Sequence, residues 1–478
     1  MDNVQKHDRT RKLSVKTKFS YATGELTDAI GYNGFYYFFL FFLTDIAGVD
    51  PGIAGTVSLI AILWDACTDP VMGFITDNFT SKYGRRRPLM LADLVPYAFC
   101  MFLIFHNVGF EGMSKAVYFT FVAVLFWTTY KIYVVPYFAL GTEITDDFND
   151  RTSLRSWSVF FMSVGVLMAS SFPLTIVKMV TKTGASESAG WNTVGILFGL
   201  CMIIAGLVCW RNTRGFELSS QEGFVDNQSV EHENVVQNFW SVLKLKPSKW
   251  LAISIFLWAF VFTILSSGLV YLMTNNLGYS EEKQSMFYFI QSCMAIGWVP
   301  IINLTARKFG KKRMYCIAMA LGAFALAIFY VIGFPNFAAI LIFIGVYQFG
   351  NTTFWTLYYA MMCDISELDE FINNKRREGT VSGVMQFSQK LGAACSMQVA
   401  GLILQFAGYD PNAAVQTESA TRAISSVCTW IPSLFGFMAV LAGLMYPLTR
   451  GRYNALLTAL NLKKQGLEYT TDGFEKLL

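Results

Sequence analysis

The chain has 478 residues, of which 54% are hydrophobic, 16% aromatic and only 15% charged, against about 25% charged in an ordinary soluble domain. That composition excludes a water-soluble globular protein, because most of the surface must meet hydrocarbon. The formal net charge of +4 needs no nucleic-acid partner: it comes mainly from loops, where its carriers set topology and meet anionic membrane lipid.

The first residues, MDNVQKHDRTRKLSVKTK, are basic and polar with no adjoining cleavage site of small residues, and read as a cytoplasmic tail instead of a signal peptide. Apolar stretches of about 20 residues follow, the length that crosses roughly 30 Å of hydrocarbon as a helix. The pattern predicts spans at 22–46, 53–76, 89–108, 114–140, 154–179, 193–211, 250–275, 284–306, 314–334, 336–362, 380–407 and 426–448. An even count puts both termini on one side. Of the 37 Lys and Arg, 30 fall in segments on that side, and five lie opposite (Lys115, Lys178, Lys182, Lys283, Arg422). By the positive-inside rule that side is the cytoplasm. The expectation is a multi-pass protein of the plasma (inner, cytoplasmic) membrane with both termini inside.

Charges inside spans are costly, so each is a functional candidate. Span one carries Glu25 and Asp28 in its first turns, where capping and substrate contact are equally open readings. On span two, LIAILWDACTDPVMG puts Asp65 and Asp69 four residues apart and therefore on one helical face. Two such carboxylates repel, so they share a proton, bind a cation or pair with a basic group. Lys131 in span four and Lys390 in span eleven lie too deep for easy snorkelling and are the candidate partners. Aromatic residues on spans that carry or flank these charges suit the apolar face of a sugar ring. The substrate candidates are Asp28, Tyr36, Tyr130, Phe138, Trp355, Tyr358, Gln386 and Lys390.

The chain also divides. One long polar stretch, 212–249, separates an N-terminal six-span bundle with its tail (1–211) from a C-terminal six-span bundle (250–449) and a cytoplasmic tail (450–478). Its latter part, NFWSVLKLKPSKW, reads either as a short interfacial helix or as plain linker. The halves echo each other: NFTSKYGRRR (78–87) follows span two and NLTARKFGKKR (303–313) follows span eight. Such repetition marks carriers built as parallel repeats, with the substrate site near the midplane. Gly73 and Asp77 before the first copy form a G-x-x-x-D pattern with a basic cluster that resembles the loop signature of the major facilitator superfamily. Gly73 would permit close helix approach. Asp77, Arg85, Arg86, Glu143 and Arg151 are candidate gating residues at the same face.

WDACTDPVMG, the KYGRRRP loop, VPYFALGTEITDDFNDRT (135–152) and the CDISELDEF, KRREGT and QKLG runs (363–392) resemble the glycoside–pentoside–hexuronide:cation symporter family, across nearly the whole chain. The resemblance implies an all-α major facilitator fold of about twelve helices in two pseudo-symmetric six-helix bundles, and symport of a sugar, glycoside or sugar acid. It implies that Asp65 and Asp69 bind the coupling cation with Lys390 at the same site, that Tyr130 lines the substrate pocket, and that Arg376 and Glu378 form the cytoplasmic R-x-E gating motif.

The departures are informative. Where the melibiose carrier of that family offers a threonine hydroxyl to sodium, this chain has Lys131, and the family's galactoside-recognising aspartates align with Ala29 and Val134. The reading is a built-in ammonium beside Asp65 and Asp69, with coupling to H+ favoured over Na+. Uncoupled transport, or antiport of another small organic anion, drug or lipid, is the alternative. Lys131 and Lys390 together would suit an anionic sugar; neutralised by the aspartates, they leave a neutral glycoside.

Nothing points to an enzyme or a cofactor. The three histidines (His7, His106, His232) form no H-E-x-x-H, there is no phosphate-binding G-x-x-x-x-G-K-[ST] loop, and the nine cysteines lack CxxC spacing, which argues against a metal site. A monomer is expected.

Overall fold

The computed structural model describes residues 13–475 apart from 80, 82–85, 146, 217–234, 374–376, 414, 466 and 473, and all its regular elements are helical. Away from their ends, helices satisfy backbone N–H and C=O groups internally, which is what hydrocarbon demands. After the short α1 (Val15–Ala22) come α2 (Gly24–Phe41), α3 (Pro51–Asn78), α4 (Arg87–Ile104), α5 (Gly112–Glu143), α6 (Phe148–Thr181) and α7 (Glu187–Asn212). The second half repeats the series as α9 (Lys246–Tyr271), α10 (Glu281–Phe309), α11 (Lys311–Ile332), α12 (Phe337–Asn373), α13 (Glu378–Phe406) and α14 with α15 (Glu418–Cys428, Trp430–Met445). Between the halves lies α8 (Val235–Lys244), and α16 (Arg450–Lys464) ends the series. Among the described residues, ten of the helical spans are long and apolar enough to cross a membrane. The other two long helices are α2, with Glu25 and Asp28, and α13, with Glu378 and Lys390.

Local chemistry sets the ends. Asp147, Ser186 and Thr417 accept backbone N–H groups at the starts of α6, α7 and α14. The last span is broken at Thr429, which the hydropathy pattern reads straight through. Pro432 follows, and a proline there supplies no N–H to the carbonyl of Cys428. In the other direction, α12 runs to Asn373 instead of stopping near 362: once the helix leaves hydrocarbon, DISELDEFIN continues it as an ordinary polar helix.

The chain forms two compact units. The first is Met1–Ser229 with Met273–Ser292 and Leu404–Gln416; the second is Val230–Leu272, Cys293–Ile403 and Thr417–Leu478. In the first, α4 packs on α5 and α7, α2 on α6 and α7, and α3 on α5. In the second, α11 packs on α12 and α15, and α9 on α15. Small residues set the closest approaches: a Cβ on Gly199 would lie 2.9 Å from the Ala98 carbonyl oxygen, and one on Gly350 would lie 2.7 Å from that of Ala318.

The two basic loops of the repeat do equivalent work. Arg87 at the start of α4 donates to the Trp210 carbonyl near the end of α7 (2.7 Å and 3.1 Å). Lys312 at the start of α11 donates to the Leu444 carbonyl near the end of α15 (2.8 Å). In each case a cation satisfies a terminal carbonyl that the helix cannot.

Candidate functional site

Because α3 packs on α5, the two-carboxylate face of α3 meets a lysine. Lys131 Nζ lies 2.9 Å from Asp65 Oδ1 and pairs as closely with Asp69 Oδ1. The Asp65 side chain is fully buried and that of Lys131 is 6% exposed, while that of Asp69 is 30% exposed. The spacing of Asp65 and Asp69 thus does what four residues on a helix should do, directing both groups to one partner. Lys390 is also buried but belongs to the second unit, where it sits one turn beyond Gln386 on α13.

A second acidic group adjoins the first. Tyr130, the residue before Lys131, donates from its hydroxyl to Asp28 Oδ1 at 2.7 Å, and the Lys131 ammonium lies 5.5 Å from the centre of the Tyr130 ring. That ring is held edge-on by Trp127 (5.1 Å) and Tyr97 (6.0 Å). Tyr36 is buried beside Tyr32 (4.6 Å) and Trp127 (6.0 Å). One turn before Asp28, the buried Glu25 carboxylate lies 3.6 Å from the largely exposed Arg155. Phe138 stands apart from this group, half-exposed beside Tyr137.

In the second unit Trp355 and Tyr358 lie one turn apart on α12, edge to face at 5.9 Å. Tyr358 donates to Gln389 Oε1 on α13 (3.3 Å), and Gln386 donates to Ser382 Oγ (2.8 Å). Gly392 fixes α13 against α9, since a Cβ there would collide with the Phe256 carbonyl oxygen.

The gating residues divide. Arg86 and Glu143 meet as a buried pair, Nε to Oε1 at 3.1 Å. Arg151 donates to the Thr145 carbonyl (3.1 Å) at the turn before α6. Glu378 is exposed at the start of α13. No described atom lies within 4 Å of a Cβ built on Gly73. Arg85, Arg376 and the side chain of Asp77 fall outside the described residues.

Within the R-x-E motif, at the position the motif leaves open, stands Arg377. It grips the buried Asp369 twice, Nη2 to Oδ1 at 2.6 Å and Nε to Oδ2 at 2.9 Å. It also donates to Asn238 (3.2 Å) and Ser241 (2.8 Å) of α8, so the stretch read as helix or linker is a docked helix. Two other charges escaped notice. Asp150 accepts from Lys18 (2.8 Å) and from the Leu13 backbone N–H (2.6 Å). Asp93 lies inside span three, 3% exposed, with Oδ2 unpartnered among the described residues; its place in an apolar stretch was a signal that could have found it.

A multi-pass helical protein with carboxylates and a lysine buried at mid-span is a membrane transporter by fold and by site. The chain belongs to the MFS/sugar transport protein family, whose sequence model matches residues 20–450. Over 469 residues it is 28% identical to the uncharacterized symporter YnaJ of Bacillus subtilis (strain 168), covering 97% of this chain and 99% of that one. It is 25% identical to the putative glycoside/cation symporter YagG of Escherichia coli (strain K12), with 93% and 94% covered. Among solved structures, a D-xylose–proton symporter superposes with a TM-score of 0.63 at 14% identity, over 90% of this chain and 97% of that one, a likeness of fold.

Proposed function

We propose that the protein imports a sugar or glycoside by alternating access, driven by protons in preference to sodium, across the plasma (inner, cytoplasmic) membrane with both termini inside. The observation that carries this reading is the Lys131 ammonium placed on both Asp65 and Asp69. Within this trio one ammonium is shared by two carboxylates, so a proton taken up by one of them leaves the ammonium to the other. A sodium ion needs several oxygen ligands at once and would compete with the ammonium for the same two carboxylates, whereas a proton needs one oxygen. Asp69, with 30% of its side chain exposed, is the group a proton reaches.

Protonated Asp69 gives up its share of the lysine and leaves a neutral one-to-one pair between Lys131 and Asp65. The hold of α3 on α5 therefore changes with the proton. Asp28, oriented by Tyr130, is placed to accept a hydroxyl of the substrate, so substrate and proton are read by adjoining groups on α2, α3 and α5. Because Lys131 is committed to carboxylates, a neutral glycoside is favoured over a uronide or sulfonated sugar. The similarity to a putative glycoside/cation symporter points the same way. The buried Lys390 supports the anionic reading, and binding of a neutral glycoside compared with its uronide separates the two. An uncoupled or antiport carrier of another organic anion, drug or lipid is the remaining alternative. We take the functional unit to be a monomer in membrane lipid.

The test is uptake into proteoliposomes over a panel of glycosides. An inward proton gradient in sodium-free buffer should drive accumulation, and Lys131→Thr should introduce sodium stimulation. Uptake that requires a sodium gradient and ignores a pH gradient would sink the proposal.

A further inference from the structure

The outer ends of the two repeats carry a feature that proton and sugar binding leave unused. The first span ends in a π-helical turn, Phe42–Ile46, and the seventh in another, Leu272–Asn276. Both are followed by a glycine in the left-handed region, Gly48 at φ 68° and Gly278 at φ 59°, a conformation that L side chains rarely adopt. Each turn is closed by the same backbone bond six residues long, from Val49 N–H to the Leu43 carbonyl and from Tyr279 N–H to the Met273 carbonyl, both 2.8 Å. The sequences read Thr44-Asp45-Ile46-Ala47-Gly48 and Thr274-Asn275-Asn276-Leu277-Gly278. Asp45 and Asn275 therefore occupy equivalent places in the two repeats.

One side chain meets both. The Tyr409 hydroxyl, on the turn after α13, donates to Asp45 Oδ1 at 2.6 Å and accepts from Asn275 Nδ2 at 3.2 Å. Thr44 donates to the other Asp45 oxygen at 2.6 Å, and the Tyr409 residue is 6% exposed. A phenol offers one donor proton and accepting lone pairs. It can serve a carboxylate and an amide together, but not two carboxylates. The substitution of Asn for Asp in the second repeat is what makes a single bridging hydroxyl sufficient.

We propose that Tyr409, Asp45 and Asn275 form a latch that holds the non-basic ends of the two repeated turns together, and that this end of the carrier opens when the phenol lets go. The contacts stand on their own; that opening admits substrate rests on the carrier reading above. Tyr409→Phe keeps the ring and removes both bonds. Losing a charge-assisted hydrogen bond should raise the open-to-closed ratio about tenfold or more. Asn275→Asp should do the same by setting two acceptors against one hydroxyl. The exchanged pair Asp45→Asn with Asn275→Asp should restore closure: the amide then at position 45 can accept from Thr44 and donate to the Tyr409 oxygen, while the carboxylate then at position 275 accepts the phenol proton.

The experiment is hydrogen–deuterium exchange on the full chain in detergent, reading peptides over 42–50, 272–280 and 404–416 and, as a control for folding, over 364–380. The latch requires all three outer segments to exchange about tenfold faster in Tyr409→Phe and Asn275→Asp with the control no faster, and to slow again in the exchanged pair. Unaltered exchange in Tyr409→Phe overturns it, as does an exchanged pair no slower than Asn275→Asp alone. If exchange behaves as required but the unsubstituted protein accumulates no glycoside, the carrier reading fails and the latch stands.

Discussion

Midway along α3 and α5 one ammonium serves two carboxylates, whereas at the end of α12 one guanidinium serves one carboxylate through two hydrogen bonds. Both clusters are buried, but they commit their cation differently. An ammonium divided between two carboxylates can stay with one when the other takes up a proton. A guanidinium held by both oxygens of one carboxylate is fixed in place. The Arg377–Asp369 pair, tied through Asn238 and Ser241 to α8, is a brace; in the proposed cycle the Lys131 cluster changes partners.

The contrast can be broken from either side. Lys131→Met takes the shared ammonium from two mid-span carboxylates, and should cost about 3–5 kcal/mol in chemical unfolding in detergent, with transport abolished. Arg377→Met should cost less, about 2–3 kcal/mol, because Asn373 still donates to Asp369 at 2.7 Å; loss of α8 docking should show as faster amide exchange in 235–244. Asp69→Asn removes one of the two carboxylates and leaves Lys131 paired with Asp65. Its stability should move by no more than about 1 kcal/mol, while accumulation driven by a proton gradient falls at least tenfold and flux down the sugar gradient persists. The smallest effect belongs to Glu418→Gln, which removes the exposed ion pair with Arg422 and should shift stability by under about 0.5 kcal/mol. A loss as large as that of Arg377→Met would show that burial does not decide these costs.

The mid-span cluster was legible in the sequence because hydrocarbon makes charge rare. Asp65, Asp69 and Lys131 stand out from apolar surroundings, and helical spacing joins the first two before any coordinates are known. The brace was hidden for the converse reason. In the polar run from Cys363 to Glu378 many acids and bases could pair, and nothing in spacing selects Arg377 with Asp369. The repeat of basic loops was visible and its job was not, since donating to the Trp210 and Leu444 carbonyls depends on how α4 meets α7 and α11 meets α15. Hydropathy also misses what happens at span ends: the extension of α12 to Asn373, the break at Thr429, and the paired π-helical turns that Tyr409 bridges.

The central claim is that the cluster of Asp65, Asp69 and Lys131 takes a proton and not sodium. Electrogenic current on a solid-supported membrane, on adding neutral glycosides to proteoliposomes of the unsubstituted protein, tests it most directly. The account predicts a current that is equal with and without sodium, moves one proton's charge per sugar, and disappears in Asp69→Asn. A current that appears only when sodium is present, or that survives in Asp69→Asn, would contradict it.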